Sequence, residues 1–237
     1  MDLVVDIINI IGIISFAAAG AMIAIDKETD LFGVIFLSLM TCFGGGILRD
    51  IMFGYEIGRL RPFFFTGLEM DIIVCILTAL MVFLLAYIFK ERYVKEEAAV
   101  EKINNILDAL GLGVFAAVGT HAYAELGAFV AITAGFISSV GGSLIRDTLL
   151  RDIPFILRKR VYAVACILGS SAYYLIYSVF MKGMRMADVV GTIVCMGLIF
   201  AIRMCATIFR WNMPKAIVFS AIKLDESDSK EKEKITK

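Results

Sequence analysis

Gly44-Gly45-Gly46-Ile47-Leu48-Arg49-Asp50 lies inside a long apolar run, and Gly141-Gly142-Ser143-Leu144-Ile145-Arg146-Asp147 nearly repeats it. Consecutive glycines weaken a helix, and an Arg-Asp pair is costly to place in lipid. Both features together, twice, mark a constructed element.

The apolar setting is general. Of the 237 residues 60% are hydrophobic and only 19% charged, with a mean hydropathy of +0.86, whereas roughly half the residues of a soluble domain are apolar. The chain therefore reads as an all-α integral membrane protein. At ~20 residues per spanning helix it holds about seven spans, short connections and a tail, with no sizeable aqueous domain. A formal net charge of +0 gives no support to a nucleic-acid footprint, which needs a basic face. Cys42, Cys75, Cys166, Cys195 and Cys205 fall in apolar runs without C-x-x-C spacing, so they read as small buried apolar residues rather than a zinc site or a disulfide framework. The first basic residue is Lys27, too late for the basic segment of a cleaved signal peptide, so the N-terminal run is expected to remain as a membrane helix.

The expected spans are about Ile7 to Ile25, Leu31 to Gly54, Met70 to Phe89, Ile103 to Thr120, Gly127 to Leu150, Val161 to Met181 and Ala187 to Thr207. Between the second and third lies a loop with Glu56, Arg59, Arg61 and Pro62, followed by Phe63 to Phe65. The charged stretch Lys90 to Lys102 reads as a solvated helix extension, and Asp225 to Lys237 as disordered low-complexity sequence. By this reading 1–90 is a first three-helix repeat, 91–102 a connector, 103–183 a second repeat, 184–210 a seventh helix and 211–237 a tail. With the N-terminus outside, the inner loops hold Lys27, then Lys90, Arg92, Lys95 and Lys102, then Arg151, Arg158, Lys159 and Arg160, plus the tail. The outer loops hold only Arg59, Arg61, Lys182 and Arg185. The positive-inside rule therefore gives N-out and C-in.

Sliding the chain against itself by 99 residues lays Gly12, Phe16, Ala17, Ala18 and Gly20 over Gly111, Phe115, Ala116, Ala117 and Gly119. Asp6 then meets Asn105, and Asn9 meets Asp108. At an offset of 97, Gly44, Gly45, Arg49 and Asp50 meet Gly141, Gly142, Arg146 and Asp147. Three spans per copy force the second copy to enter from the opposite face, giving two inverted three-helix repeats plus a seventh helix. Such repeats carry their pathway where the copies meet, near the bilayer midplane. From Leu31 to Gly45 is about 21 Å of helix at 1.5 Å per residue, somewhat past the middle.

Two readings of Gly44, Gly45, Gly46, Gly141, Gly142 and Ser143 stand side by side. One is a kink or unwound turn with carbonyls facing a water-filled path; the other is close helix packing. Arg49 and Asp50, like Arg146 and Asp147, are neighbours in sequence and do not face one another on a helix. They are expected to pair between the copies and support the bends, or else to anchor the helix ends at the headgroups. Ser38, Thr41, Thr133 and Ser139 are a possible polar lining, or bond their own helices. Asp6, Asn9, Asn105 and Asp108 read as caps or interfacial groups. Arg203 reads as a cation snorkelling to the headgroups, and His121 as a solvated loop residue. A metal ligand would need companions that the sequence does not provide, and no metal or other cofactor is expected. H-E-x-x-H, G-x-S-x-G and P-loop spacings are absent, so the chain is not read as an enzyme.

The two Gly-Gly-x-x-x-Arg-Asp segments, the two Phe-Ala-Ala-x-Gly segments and the seven-span layout resemble the bacterial relatives of trimeric intracellular cation (TRIC) channels, also described as a glycine transporter domain that occurs twice per chain. The resemblance covers about Leu3 to Thr207. It implies a homotrimer with a pore in each subunit, formed with kinked second and fifth spans at Gly44 to Gly46 and Gly141 to Gly142, conducting potassium and sodium. Arg49, Asp50, Arg146 and Asp147 would then support the kinks. Ser143 replaces the third glycine in copy two. Some members of the family are linked instead with glycine uptake. The expected partners are thus membrane lipid and either monovalent cations or a small amino acid. A non-transporting scaffold is the reading left by the basic loops alone.

Overall fold

The computed structural model describes residues 3–54, 69–158, 161–179 and 185–211. Over these the chain forms α1 (Leu3–Asp26), α2 (Leu31–Phe53), α3 (Glu69–Ile88), α4 (Lys90–Lys95), α5 (Glu97–Ala122), α6 (Ala128–Leu149), α7 (Phe155–Arg158), α8 (Tyr162–Val179) and α9 (Arg185–Ile208). Among the described residues there is no strand. Seven helices (α1, α2, α3, α5, α6, α8 and α9) are long and apolar enough to cross a membrane, matching the spans read from hydropathy. Expectations that fell on Glu56, Arg59, Arg61, Pro62, Phe63 to Phe65, Lys159, Arg160, Lys182 and residues 212–237 lie outside the described residues.

Local chemistry sets the helix ends. The Asp30 carboxylate accepts the Gly33 N–H at 2.8 Å, capping α2. The turn after α5 passes through a short 3-10 segment, Ala124–Leu126, and then Gly127 at φ +99, a backbone state that glycine adopts without strain. The connector is not one extension: α4 ends at Lys95, and Glu96 bridges to α5.

Ion pairs and hydrogen bonds define the two ends of the bundle. At one end Lys27 Nζ lies 2.7 Å from Asp152 Oδ2, and the Tyr93 hydroxyl donates to Asp26 at 3.3 Å. At the other, Asn9 donates to Asp71 at 3.2 Å, and His121 meets Tyr173 at 2.9 Å. Between them α3 presents Ile73, Leu77, Met81, Leu84, Leu85 and Ile88 to the outside, the apolar surface expected of a lipid-facing helix.

The repeats meet in an antiparallel, two-fold manner. Gly12 of α1 packs on Val114 of α5, while Gly111 of α5 packs on Phe16 of α1. Phe16 and Phe115, which the repeat superposes, stack on each other at 5.1 Å between ring centroids. The most extensive helix contact is α2 with α6, and it is reciprocal residue by residue. A Cβ on Gly45 would run into the Ser138 carbonyl, and one on Gly142 into the Thr41 carbonyl. A Cβ on Gly44 would meet Ile145 at 2.9 Å, and one on Gly141 would meet Leu48 at 3.1 Å. Thr41 and Ser138, like Leu48 and Ile145, are counterparts in the repeat. Lipid offers no hydrophobic drive for helix pairing, so this close approach gains its energy from dispersion between backbones, as small residues permit.

Helical structure runs unbroken through Gly44 to Gly46 in α2 and through Gly141 to Ser143 in α6. The expected unwound turn is therefore replaced by continuous helix, because the missing side chains are used for packing rather than for opening the backbone.

This geometry separates three adjacent glycines. Gly45→Ala should destabilise by about 1–3 kcal/mol, since its methyl meets backbone that cannot yield. Gly142→Ala should do the same by symmetry. Gly46 faces open space, with only Arg49 Nη2 at 3.9 Å, so Gly46→Ala should be neutral or stabilise by up to ~1 kcal/mol through helix propensity. Thermal unfolding in one detergent reads the difference, and equal shifts for all three would refute the crossing.

Candidate functional site

The α2–α6 crossing is flanked by two buried charge clusters, one from each copy. In copy one, Arg49 curls back on its own neighbour: Nε donates to Asp50 Oδ1 at 2.7 Å, and Nη2 lies 2.6 Å from the same oxygen. Arg49 Nη1 reaches the Ser138 hydroxyl of α6 at 3.3 Å, and the Tyr123 hydroxyl donates to Asp50 at 3.2 Å. The guanidinium lies over the Tyr123 ring at 5.6 Å. Arg49 and Asp50 are each only 5% exposed.

Copy two repeats the device at the opposite end. Arg146 Nε donates to Asp147 Oδ1 at 2.9 Å, with Nη2 at 2.8 Å. Asp147 Oδ2 accepts the Phe155 N–H at 2.8 Å, and the Arg146 guanidinium lies over the Phe155 ring at 5.3 Å. Arg146 is fully buried, and its Nη1 has no hydrogen-bond partner among the described residues.

Two expectations change here. Adjacent residues do pair, because the rule against i,i+1 contacts concerns Cβ directions and the long arginine arm swings past them. Contact between the copies runs instead through neutral partners, the Ser138 hydroxyl on Arg49 and the Tyr123 hydroxyl on Asp50. All four residues are enclosed by protein rather than exposed at the helix surface.

Copy two carries an extension that copy one lacks. Asp108 of α5, 1% exposed, accepts from the Tyr162 hydroxyl at 3.1 Å and from Arg203 Nη2 of α9 at 3.3 Å. Arg203 lies over the Tyr162 ring at 4.5 Å, and the Tyr162 hydroxyl is also 3.3 Å from Ser143. Asp108 is thus no helix cap, and Arg203, 2% exposed, is turned inward onto Asp108 and the Tyr162 ring. Sequence reading missed Tyr123, Ser138 and Tyr162 altogether. Asp108 had left a signal, since it shares an inward helical face with Gly111 and Leu112.

The candidate lining hydroxyls are spent in a particular way. Ser38 donates to the Val34 and Ala17 carbonyls, Thr41 to Leu37, Thr133 to Phe129, Ser139 to Phe136 and Ser143 to Val140. Each proton is committed to backbone, and each oxygen keeps lone pairs for a further donor or a cation. Thr133 sits on the half-exposed side of α6. His121 is not a bare loop residue but bonds Tyr173 and lies 3.4 Å from Asp188. Among the described residues no group of three or more His, Cys, Asp or Glu side chains is placed to hold a metal.

A family model described as "Glycine transporter" matches residues 6–87 and 105–178, one match per repeat. The "UPF0126 inner membrane protein YadS" of Escherichia coli (strain K12) is 32% identical over 209 residues, covering 87% of this chain and 92% of that one. The "UPF0126 membrane protein YvgT" of Bacillus subtilis (strain 168) is 30% identical, covering 88% and 95%. Among solved structures, one described as "Crystal structure of a prokaryotic TRIC channel in 0.5 M KCl" superposes with a TM-score of 0.74 at 26% identity, covering 90% of this chain and all of that one. Another, "Structural basis for conductance through TRIC cation channels", gives 0.73 at 28% identity, with 90% and 97% covered.

Removing one partner from a buried pair strands the other charge, so Asp147→Asn and Asp50→Asn should each cost about 3–5 kcal/mol. The half-exposed Lys27–Asp152 pair should lose under about 1 kcal/mol on Asp152→Asn. A double-mutant cycle on Arg146 and Asp147 in chemical denaturation measures this directly. A coupling no larger than that of Lys27 with Asp152 would mean that the buried pairs do not hold the crossing.

Proposed function

Because the chain belongs to the family described as glycine transporter, with curated relatives that are membrane proteins, we propose that it is a passive channel for monovalent cations, potassium among them, with a path in each subunit beside the α2–α6 crossing. The observation that carries this reading is the likeness, over nine-tenths of the chain, to two solved structures described as TRIC channels.

The chemistry of the crossing agrees with a cation as the permeant species. Hydroxyls whose protons are given to backbone carbonyls present only oxygen lone pairs, which replace part of an ion's hydration shell. Gly44, Gly45, Gly46, Gly141, Gly142 and Ser143 form the pivot at which the two copies hold each other. Arg49–Asp50 and Arg146–Asp147 support it while adding no net charge to the path. In this reading 1–90 and 103–183 are the two repeats, the loops bearing Lys27 and Arg151 face the cytoplasm, and the chain assembles as a homotrimer in a lipid bilayer.

The family description favours a second reading, a carrier for glycine or another small amino acid. The mechanism first expected for it, a substrate carboxylate held by a half-helix N-terminus, loses support because α2 and α6 have no break at which N–H groups are released.

Purified protein in planar bilayers and in liposomes separates the readings. Unitary potassium currents that reverse near the potassium equilibrium potential, without saturable glycine uptake, are expected. Saturable uptake without currents would establish the carrier, and neither activity would leave a scaffold. Native mass spectrometry of the same preparation should give the mass of a trimer.

A further inference from the structure

Around Asp108, copy two gathers buried oxygen ligands that the Arg146–Asp147 pair does not need. The Asp108 carboxylate is approached by Tyr162 and Arg203 only at 3.1 and 3.3 Å, long for charge-assisted contacts. Tyr162 owns one hydroxyl proton, yet Asp108 and Ser143 both lie within its reach. Since Ser143 gives its own proton to Val140, only one of the two oxygens is served by Tyr162 at a time. One turn before Asp108 on the same face of α5, Asn104 is 6% exposed, and its carbonyl oxygen Oδ1 has no hydrogen-bond partner among the described residues. A carboxylate, an amide carbonyl and two hydroxyl oxygens form a hard-oxygen set of the kind that holds potassium or sodium.

The positive charge now beside this set is Arg203. Arg146 with Asp147, and Arg203 with Asp108, make two cations against two anions, so the cluster is neutral. An added cation would leave an uncompensated charge inside protein at membrane depth, which is costly. A cation that replaces the Arg203 guanidinium keeps the cluster neutral, and only a monovalent one does so.

Arg203 also has somewhere to go. It lies five residues before the end of α9 at Ile208, about 8 Å at 1.5 Å per residue, within range for a long side chain to snorkel to the interface. Its contact with the Tyr162 ring at 4.5 Å holds it in the inward position.

Resting on the channel reading above, we propose that Asp108, Asn104, Ser143 and Tyr162 form a monovalent-cation site at one end of the path, and that Arg203 is a tethered cation that occupies it. Release of Arg203 toward the interface vacates the site for potassium, so α9, which lies outside the repeats, gates one end of an otherwise two-fold device. Arg203 acts as a positioning residue, through Asp108.

The test follows thermal unfolding in potassium chloride against choline chloride at equal ionic strength. It uses the wild-type chain, Arg203→Gln, Arg203→Lys and the neutral double variant Arg203→Gln with Asp108→Asn, alongside potassium flux from liposomes. Arg203→Gln should show a potassium-dependent rise in midpoint with half-saturation about tenfold below wild type, the factor expected when a competing hydrogen bond to a charged group is removed. The double variant should lose the response, and Arg203→Lys should fall between Arg203→Gln and wild type. Flux should rise in Arg203→Gln and not in the double variant. If Arg203→Gln does not fold, Arg203→Lys carries the same comparison with a smaller shift. A wild-type-like potassium response in Arg203→Gln, or in Arg203→Lys where only that variant folds, overturns the proposal, as does an undiminished response in the double variant. Absence of flux from wild type would refute the channel reading instead, leaving the unfolding result to judge the site.

Discussion

Backbone meets backbone where α2 crosses α6, and the rest of the molecule is arranged to make that approach possible. Within lipid two helices gain little by hiding apolar surface from each other, so their pairing rests on contact distance and polar fit. Gly45 against Ser138, and Gly142 against Thr41, bring the chains closer than any side chain would allow. The same glycines that let the helices touch prevent either one from being replaced without moving the other. The charge pairs then bracket the crossing, Arg49–Asp50 at one end and Arg146–Asp147 at the other, each with an aromatic face against its guanidinium.

The two halves are alike in backbone and unlike in electrostatics. Copy one places Asn9 of α1, hydrogen-bonded to Asp71, where copy two places Asp108. An amide needs no counter-ion, whereas a buried carboxylate does. α9 supplies it through Arg203, and this gives a physical reason for a seventh helix beside a six-helix repeat. The asymmetry distinguishes the two ends of the crossing: at one the Tyr123 hydroxyl meets Asp50, and at the other Tyr162 and Arg203 together meet Asp108.

What could be read in advance followed from local rules. Hydropathy locates all seven spans, most of them to within a few residues of their helices, with α5 starting six residues before its apolar run, and self-comparison gives the inverted pairing. The glycines stand out in the sequence, but their two readings cannot be separated there, because opening a backbone and letting a second one in make the same demand on sequence. The Arg-Asp pairs were misassigned through a rule about where Cβ atoms point, which a three-methylene arm evades. Arg203, Tyr162 and Asp108 stayed apart because 54 and 95 residues separate Asp108 from its partners. Helical periodicity assigns each residue to a face, and only the fold decides which faces meet.

The reciprocity of the crossing bears on how the chain is made. The two partners of each glycine contact lie about a hundred residues apart, on the second and fifth membrane helices. A chain emerging from the ribosome therefore carries a finished first repeat whose closest-packing surface has nothing to pack on. That half-molecule must wait in the bilayer with its Arg49–Asp50 pair still without Ser138 and Tyr123, so slow synthesis or loss of the connector would expose a polar, adhesive seam to neighbouring membrane proteins. The precision that fixes the crossing in the mature protein thus sets a period of vulnerability during biogenesis.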